Sequence, residues 1–252
     1  MMKTEKIYYN DSFLNSCQAT VIDIQGNKIV LDKTVAFPEG GGQIGDVGNI
    51  YLNEMKIPFY DTKKGVGRIL SLQEFPNIQV DTPVYHFIDE DQLSNISIGD
   101  NAIVEINVLH RIRTTALHSA LHLVLMAAKE RRPDITNVIK GCKITTESAR
   151  IDFFAKEKFL PDDIVWITNR VNELVSLEIP IQVYAHEKEN EAWYWQCLDF
   201  ICPCGGMHLT NTGQAGTLMV RRKNVGKTTE RLIVVGENIK LAEYDYHGYD
   251  NF

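Results

Sequence analysis

Residues 111–132 read RIRTTALHSALHLVLMAAKERR, and Pro133 follows. Ala, Leu and Met dominate this run, so the spacing predicts a helix from Arg111 to Arg132 that the proline ends. Ahead of it the period is different. Ala102 to Val108 alternates as a strand, and shorter β-like runs precede it. Val21-Ile22-Asp23-Ile24 and Lys28-Ile29-Val30-Leu31 flank a Gly26-Asn27 turn, the signature of a hairpin. Tyr51-Leu52, Arg68-Ile69-Leu70 and Val84-Tyr85-His86-Phe87 add segments separated by Asp, Gly, Asn and Pro. Such a succession suits a small barrel.

Beyond the helix the pattern mixes. A second helix is predicted from Asp162 to Glu178, with acidic residues in its first turn and Pro180 after its end. Strands are predicted at Lys143-Ile144, Arg150–Phe154, Ile181–Tyr184, Thr217–Val220 and Arg231–Val235. The fold class is therefore α+β: a small N-terminal β-barrel over residues 1–105, then an α+β domain over 106–252.

Composition narrows the function classes. The 252 residues are 44% hydrophobic and 23% charged, enough for a proper core. Mean hydropathy is −0.18, and no apolar run approaches the roughly 20 residues of a membrane helix. The start, MMKTEKIYYND, lacks the apolar region of a signal peptide, so a cytoplasmic, membrane-free protein is expected. Five cysteines without paired spacing argue against a disulfide framework; Cys17, Cys142 and Cys197 read as small buried residues of a reduced protein. The net charge of −7 resides in residues 1–105, with 8 basic against 15 acidic side chains; residues 106–252 balance at 18 each. The second part can therefore hold a local basic surface. Arg221, Arg222, Lys223, Lys227 and Arg231 lie close together, opposed only by Glu230.

Two clusters carry metal chemistry. His118 and His122 are four apart, on one helix face, close enough to share an ion. Ser119 follows the first histidine, so the zinc-protease motif, with Glu there, is excluded. Cys202-Pro-Cys204-Gly-Gly-Met-His208 can wrap an ion because its glycines allow a tight turn. Together they offer three nitrogens and one or two sulfurs, a borderline-soft set suited to Zn²⁺ and not to Mg²⁺ or Ca²⁺.

Read together, these motifs resemble a known family. His118-Ser-Ala-Leu-His122, Cys204-Gly-Gly-Met-His208 and Thr212-Gly213-Gln214-Ala215-Gly216 look like the editing domain of alanyl-tRNA synthetase and its free-standing relatives, the AlaX proteins. Gly141-Cys142-Lys143 through Arg150-Ile-Asp152-Phe153 is similar to the family's strand pair between its helices. Phe37-Pro38-Glu39-Gly40-Gly41-Gly42-Gln43, with Gly45-Asp46 and Gly48, looks like its glycine-rich motif, the mark of the medium-length type, and Ile7–Ser12 like its opening strand. The family's commoner Thr is replaced by Met207.

The resemblance implies a barrel followed by a zinc-containing editing core, and hydrolysis in trans of Ser-tRNA(Ala), in many members also of Gly-tRNA(Ala). It implies His118, His122, Cys204 and His208 as ligands of one Zn²⁺, with Cys202 the alternative sulfur. Nothing resembles the class II synthetase motifs, so ATP is not an expected substrate.

The seryl ester differs from the alanyl ester by one hydroxyl, so a polar side chain near the metal is expected to read it. Thr136 is the first choice, with Thr145 and Ser119 as alternatives, and Gln43 approaches from the barrel. No Ser-His-Asp or Cys-His nucleophile is evident, so direct attack by water is expected. Phosphate contacts are expected at Arg221, Arg222, Lys223 and Lys227, and at Arg111, Arg113, Arg131 and Arg132. Trp193, Tyr194 and Trp195 are candidates to stack on a terminal base, with at least one tryptophan expected in the core. Two other readings stay open: a zinc hydrolase acting on another ester or amide, and a non-catalytic tRNA-binding module whose zinc is structural.

Overall fold

The structure is a computed structural model that describes residues 2–52, 55–240 and 244–248. Its first part carries β1 (Glu5–Lys6), β2 (Ser16–Gln25), β3 (Lys28–Leu31), β4 (Lys33–Thr34), β5 (Gly48–Leu52), β6 (Met55–Lys64), β7 (Arg68–Leu70), β8 (Ile78–Val80), β9 (Val84–Ile88) and β10 (Asn101–Ile106). Then come α1 (Val108–Arg131), β11 (Ile139–Ile144), β12 (Ala149–Phe154), α2 (Pro161–Ser176), β13 (Ile181–His186), β14 (Glu189–Cys197), β15 (Phe200–Pro203), β16 (Thr217–Asn224) and β17 (Thr229–Glu237).

The barrel is closed in the order β10-β2-β3-β9-β6-β5, every neighbouring pair antiparallel. Closure removes the unpaired edge a short antiparallel sheet would expose. Val21, Ile29, Ile50, Ile57, Ile88 and Val104 are fully buried inside it. The hairpin expected at Gly26-Asn27 joins β2 to β3, with Gly26 at φ 57°. Sequence reasoning missed β6. Pro58 and a polar end obscure its alternation, in which Ile57, Phe59 and Thr62 turn inward. β7 and β8 pair as a separate hairpin outside the barrel.

The second part is built on an antiparallel sheet, β11-β12-β17-β16, with α1 and α2 packed against one face. Ile151, Phe153, Leu218, Leu232 and Val234 supply that face of the core. β13, β14 and β15 form a second sheet. β14 and β15 were not anticipated either, because the run around Trp193 reads as an aromatic cluster before it reads as a strand.

α1 begins three residues earlier than expected. Asn107 caps it, its side-chain oxygen accepting the His110 N–H at 3.0 Å. The helix is buried on most of its surface, which a helix packed on several sides must be. Arg111, Thr114, His118, Ser119 and His122 nonetheless recur along it at helical spacing. Buried polar groups need partners, and Arg111, Thr114, His118 and Ser119 have them in the protein.

Arg111 corrects an expectation. It is not a phosphate contact: its guanidinium is fully buried against Asp46, with Nε 2.9 Å from Oδ2. Its remaining N–H groups donate to the carbonyls of Val35 (2.7 Å) and Ser12 (3.2 Å), and Asp46 also accepts the Phe37 N–H at 2.7 Å. Every charged atom is matched, the condition under which a buried pair is tolerated. Arg131 and Arg132 are likewise engaged, both on Asp163 at the start of α2.

Removing one partner strands the other charge. The Arg111→Ala variant is expected to lose about 3–5 kcal/mol of stability by chemical denaturation. A second prediction concerns pH. His86 is buried in the barrel, its Nδ1–H donating to the Ile29 carbonyl (3.3 Å) and its Nε2 accepting from the Thr34 hydroxyl (2.9 Å). Burial pushes its pKa down to about 4, while the unfolded chain keeps the ordinary 6.5. As pH falls through 6.5 the unfolded state takes up a proton that the folded state refuses, so stability drains away down to pH 4. The stability difference between wild type and His86→Gln should therefore shrink by up to about 3 kcal/mol between pH 7 and pH 4.

Candidate metal centre

His118 and His122 project from α1, while Cys204 and His208 come from the loop that leaves β15. One ligand atom from each lies within 4.8 Å of every other. The Cys204 Sγ stands 3.4 Å from His118 Nε2 and 3.2 Å from His208 Nε2. Tetrahedral bonds of zinc length would separate ligand atoms by about 3.5 Å.

The second nitrogen of each ring is held from outside, and this fixes which nitrogen faces the centre. His118 Nδ1–H donates to Gln43 Oε1 at 2.8 Å; the Met207 N–H donates to the same oxygen, which sets the amide's orientation. His208 Nδ1 meets Ser119 Oγ at 3.3 Å, and that oxygen also accepts the Leu209 N–H at 2.9 Å. His122 Nδ1 contacts Cys202 Sγ at 3.4 Å. Its Nε2 is buried with no partner among the described residues. Three imidazoles thus turn Nε2 toward one point, where an orphaned lone pair calls for an electrophile.

Electrostatics agree. Burial pushes His122 down to about 4; burial, then neighbouring imidazoles, push His118 and His208 well below the ordinary value. All three are neutral lone-pair donors at pH 7. Burial also pushes Cys204 and Cys202 up to about 12, so metal binding must displace the Cys204 proton. The donor set fits Zn²⁺. Gly206 is required for packing: a Cβ there would come within 2.1 Å of the His118 ring. Trp195, fully buried, stacks on His122 with centroids 4.6 Å apart.

His208 lines the second cavity described below, while the other three members of the cluster, His118, His122 and Cys204, line a cavity of about 470 Å³. Its walls are mainly apolar, among them Phe37, Leu121, Leu125, Ile151 and Trp193, with Gly40 and Gly41 at one side. The β7–β8 hairpin lays Phe75, Pro76 and Ile78 against it. Tyr9 and Trp193, stacked at 5.2 Å, separate it from a second cavity of about 640 Å³ on the far side of the 206–210 loop. Cys142, expected in the core, is a half-buried wall residue instead, its thiol donating to the Gly41 carbonyl.

The other sequence candidates are placed as follows. Gln43 is in the centre's immediate surroundings. Thr136 is not brought there: α1 runs on about 14 Å past His122, and the buried Thr136 hydroxyl, in the turn beyond, donates to the Arg132 carbonyl. Thr145 closes the β11–β12 turn on Ser148. Tyr194 donates to Glu74. Arg222 turns inward to the buried Glu230, while Arg221 and Lys223 stand on the sheet face opposite the helices. The strand register sets Arg231, Arg150 and Lys143 on the same face, with Asp152 bridging Arg150 and Arg231. Lys227 is exposed in the β16–β17 turn. Sequence reasoning missed the Asp46–Arg111 pair and the partner role of Cys202.

Cobalt distinguishes the two sulfurs. The Co²⁺-loaded protein should show thiolate charge-transfer absorption that disappears in Cys204→Ser and persists in Cys202→Ser. The Cys202 variant should bind metal 10–100-fold more weakly, as expected when a ligand's supporting contact is lost.

Comparison with known proteins now bears on the whole chain. No protein-family model matches it. An alanine–tRNA ligase of Saccharolobus islandicus is 28% identical over 239 residues, 87% of this chain and 25% of the ligase. The ligase of Metallosphaera sedula is 27% identical over 249 residues, again 25% of its length. The chain thus spans about a quarter of the length of the ligases it matches. The alanyl-tRNA editing protein AlaX-M of Saccharolobus solfataricus is 26% identical over 253 residues, which cover 91% of this chain and 97% of that protein. Along nearly its whole length, therefore, the chain is similar to the AlaX editing proteins, and the resemblance carried by its motifs is borne out.

Proposed function

We propose that this protein is a trans-editing aminoacyl-tRNA deacylase, a hydrolase that removes serine, and in the same pocket glycine, from mischarged tRNA(Ala). The observation that carries this reading is the convergence of His118, His122, Cys204 and His208, three of which open onto a mainly apolar cavity, in a chain similar to an editing protein over 91% of its length. Such a reaction belongs in the cytoplasm, where tRNA is charged. No helix among the described residues is long and apolar enough to cross a membrane.

The four side chains would hold one Zn²⁺. A zinc ion there supplies Lewis-acid stabilisation of negative charge. The rest is the work of the chain. Gln43, Ser119 and Cys202 keep the imidazoles in one orientation, so nothing reorganises as charge develops. Phe37, Leu121, Leu125 and Trp193 exclude bulk water from the ester and leave room for the attacking molecule. Gln43 Nε2 is buried with no acceptor among the described residues, and in this reading it is the donor beside His118 that meets the serine hydroxyl. A site built to bond that hydroxyl can spare the alanyl ester by roughly 10⁴–10⁵. The basic sheet face around Arg221 and Lys223, with Lys227 at its edge, is the surface for tRNA phosphates.

One observation favours a second reading. Four protein ligands fill a tetrahedral shell, as in structural zinc sites. In a non-catalytic tRNA-binding module, His118→Ala would unfold the protein instead of leaving it folded and inactive. Deacylation assays on Ser-tRNA(Ala), Gly-tRNA(Ala) and Ala-tRNA(Ala), with and without a zinc chelator, decide the matter. Rapid loss of the seryl ester with the alanyl ester spared is expected. No hydrolysis of any of the three by folded, zinc-loaded protein would overturn the deacylase reading.

A further inference from the structure

Lys64 ends β6 at the wall of the metal cavity. Its side chain lies along Gly40: a Cβ on that glycine would be 3.7 Å from Lys64 Cε and 3.8 Å from Nζ. The two are thus within ordinary van der Waals reach of each other, and the lysine is half-buried. Around it the cavity is apolar, with Phe37, Phe75, Ile78 and Leu125 among its walls.

The ammonium has no ion pair or hydrogen bond among the described residues. Burial and the Lys6 ammonium pull its pKa down, while Glu191 pulls it back up. Glu191 is already committed, one carboxylate oxygen to Lys6 and the other to the Asp81 N–H at 2.9 Å. The other cavity carboxylate, Glu74, accepts from Tyr194 at 2.7 Å. A cation set in an apolar wall without a partner is costly, and an anionic ligand removes the cost.

We propose that Lys64 is a positioning residue that binds the phosphodiester joining the terminal nucleoside of the RNA to the nucleotide before it. This rests on the deacylase reading. In an aminoacyl-RNA end the ester sits on the terminal ribose, and that phosphodiester is the nearest anion to it. Lys64, Gly40 and the histidines His118 and His122 line the same cavity, so an ester over the histidines and a phosphate at Lys64 share one binding space. One charge-assisted contact then fixes the ribose relative to the metal centre, where small displacements are expensive in rate.

The test compares seryl-adenosine, which has no phosphate, with seryl-cytidylyl-adenosine, which has one, and with full-length Ser-tRNA(Ala). For wild type, the dinucleotide ester should exceed the nucleoside ester in kcat/KM by about tenfold or more. In Lys64→Met that ratio should fall to near one, and Lys64→Arg should recover part of it. Zinc content and thermal unfolding establish that each variant is folded. A ratio unchanged in Lys64→Met overturns the proposal, as does a wild-type ratio near one. Hydrolysis of the tRNA but of neither short ester also overturns it, because recognition would then lie beyond the last phosphodiester. Hydrolysis of none of the three overturns the deacylase reading itself, and the role of Lys64 with it.

Discussion

The buried Asp46–Arg111 pair organises the molecule. Asp46 closes the glycine-rich loop and Arg111 opens the long helix, so their contact locks the barrel's loop to the second part. Seven residues further along the helix, two turns on the same face, stands His118. Three residues before Asp46 in the loop stands Gln43. The second contact, Gln43 on His118, is thus placed by the first. The loop and helix close at two points, one carrying charge and one orienting a histidine of the candidate metal cluster. Positive φ at Gly41 and Gly42, 60° and 86°, lets the loop run close under β11. A Cβ on Gly42 would strike Cys142.

How much of this was legible in the sequence depends on whether the signal is local. The His-x-x-x-His and Cys-x-x-x-His spacings are local, so all four clustered residues were found. So was the hairpin at Gly26, and so were both helices to within a few residues. The misses share one cause: a side chain's fate decided by distant chain. Arg111 looks like any arginine near a helix start, and only Asp46, 65 residues away, makes it a buried pair. Thr136 sits near the ligands in sequence, but the length of α1 carries it off. Lys64 has no local mark at all. β6 and β14 escaped because proline, polar ends or a dense aromatic run outweigh alternation in a short window.

Charge is arranged with similar economy. The chain carries a net −7, yet Lys143, Arg150, Arg221, Lys223 and Arg231 share one sheet face. Antiparallel register brings together residues that sequence separates by up to 88 positions. Asp152 is spent on Arg150 and Arg231, leaving Arg221 and Lys223 facing outward. The acidic excess belongs to the barrel, so repulsion from a polyanion and attraction to it fall on different parts of the molecule.

The metal centre has a kinetic consequence as well. Its ligands and their supports come from three stretches of chain, and the Met207–Gln43 bond alone spans 164 residues. Closing loops of that size is entropically slow and gains nothing until the long-range contacts form. A half-folded chain can present the His118–His122 pair on a nascent helix, but neither the sulfur nor the amide that completes the cage. A site assembled this way can hold a metal tightly only once the barrel and the second part have found each other.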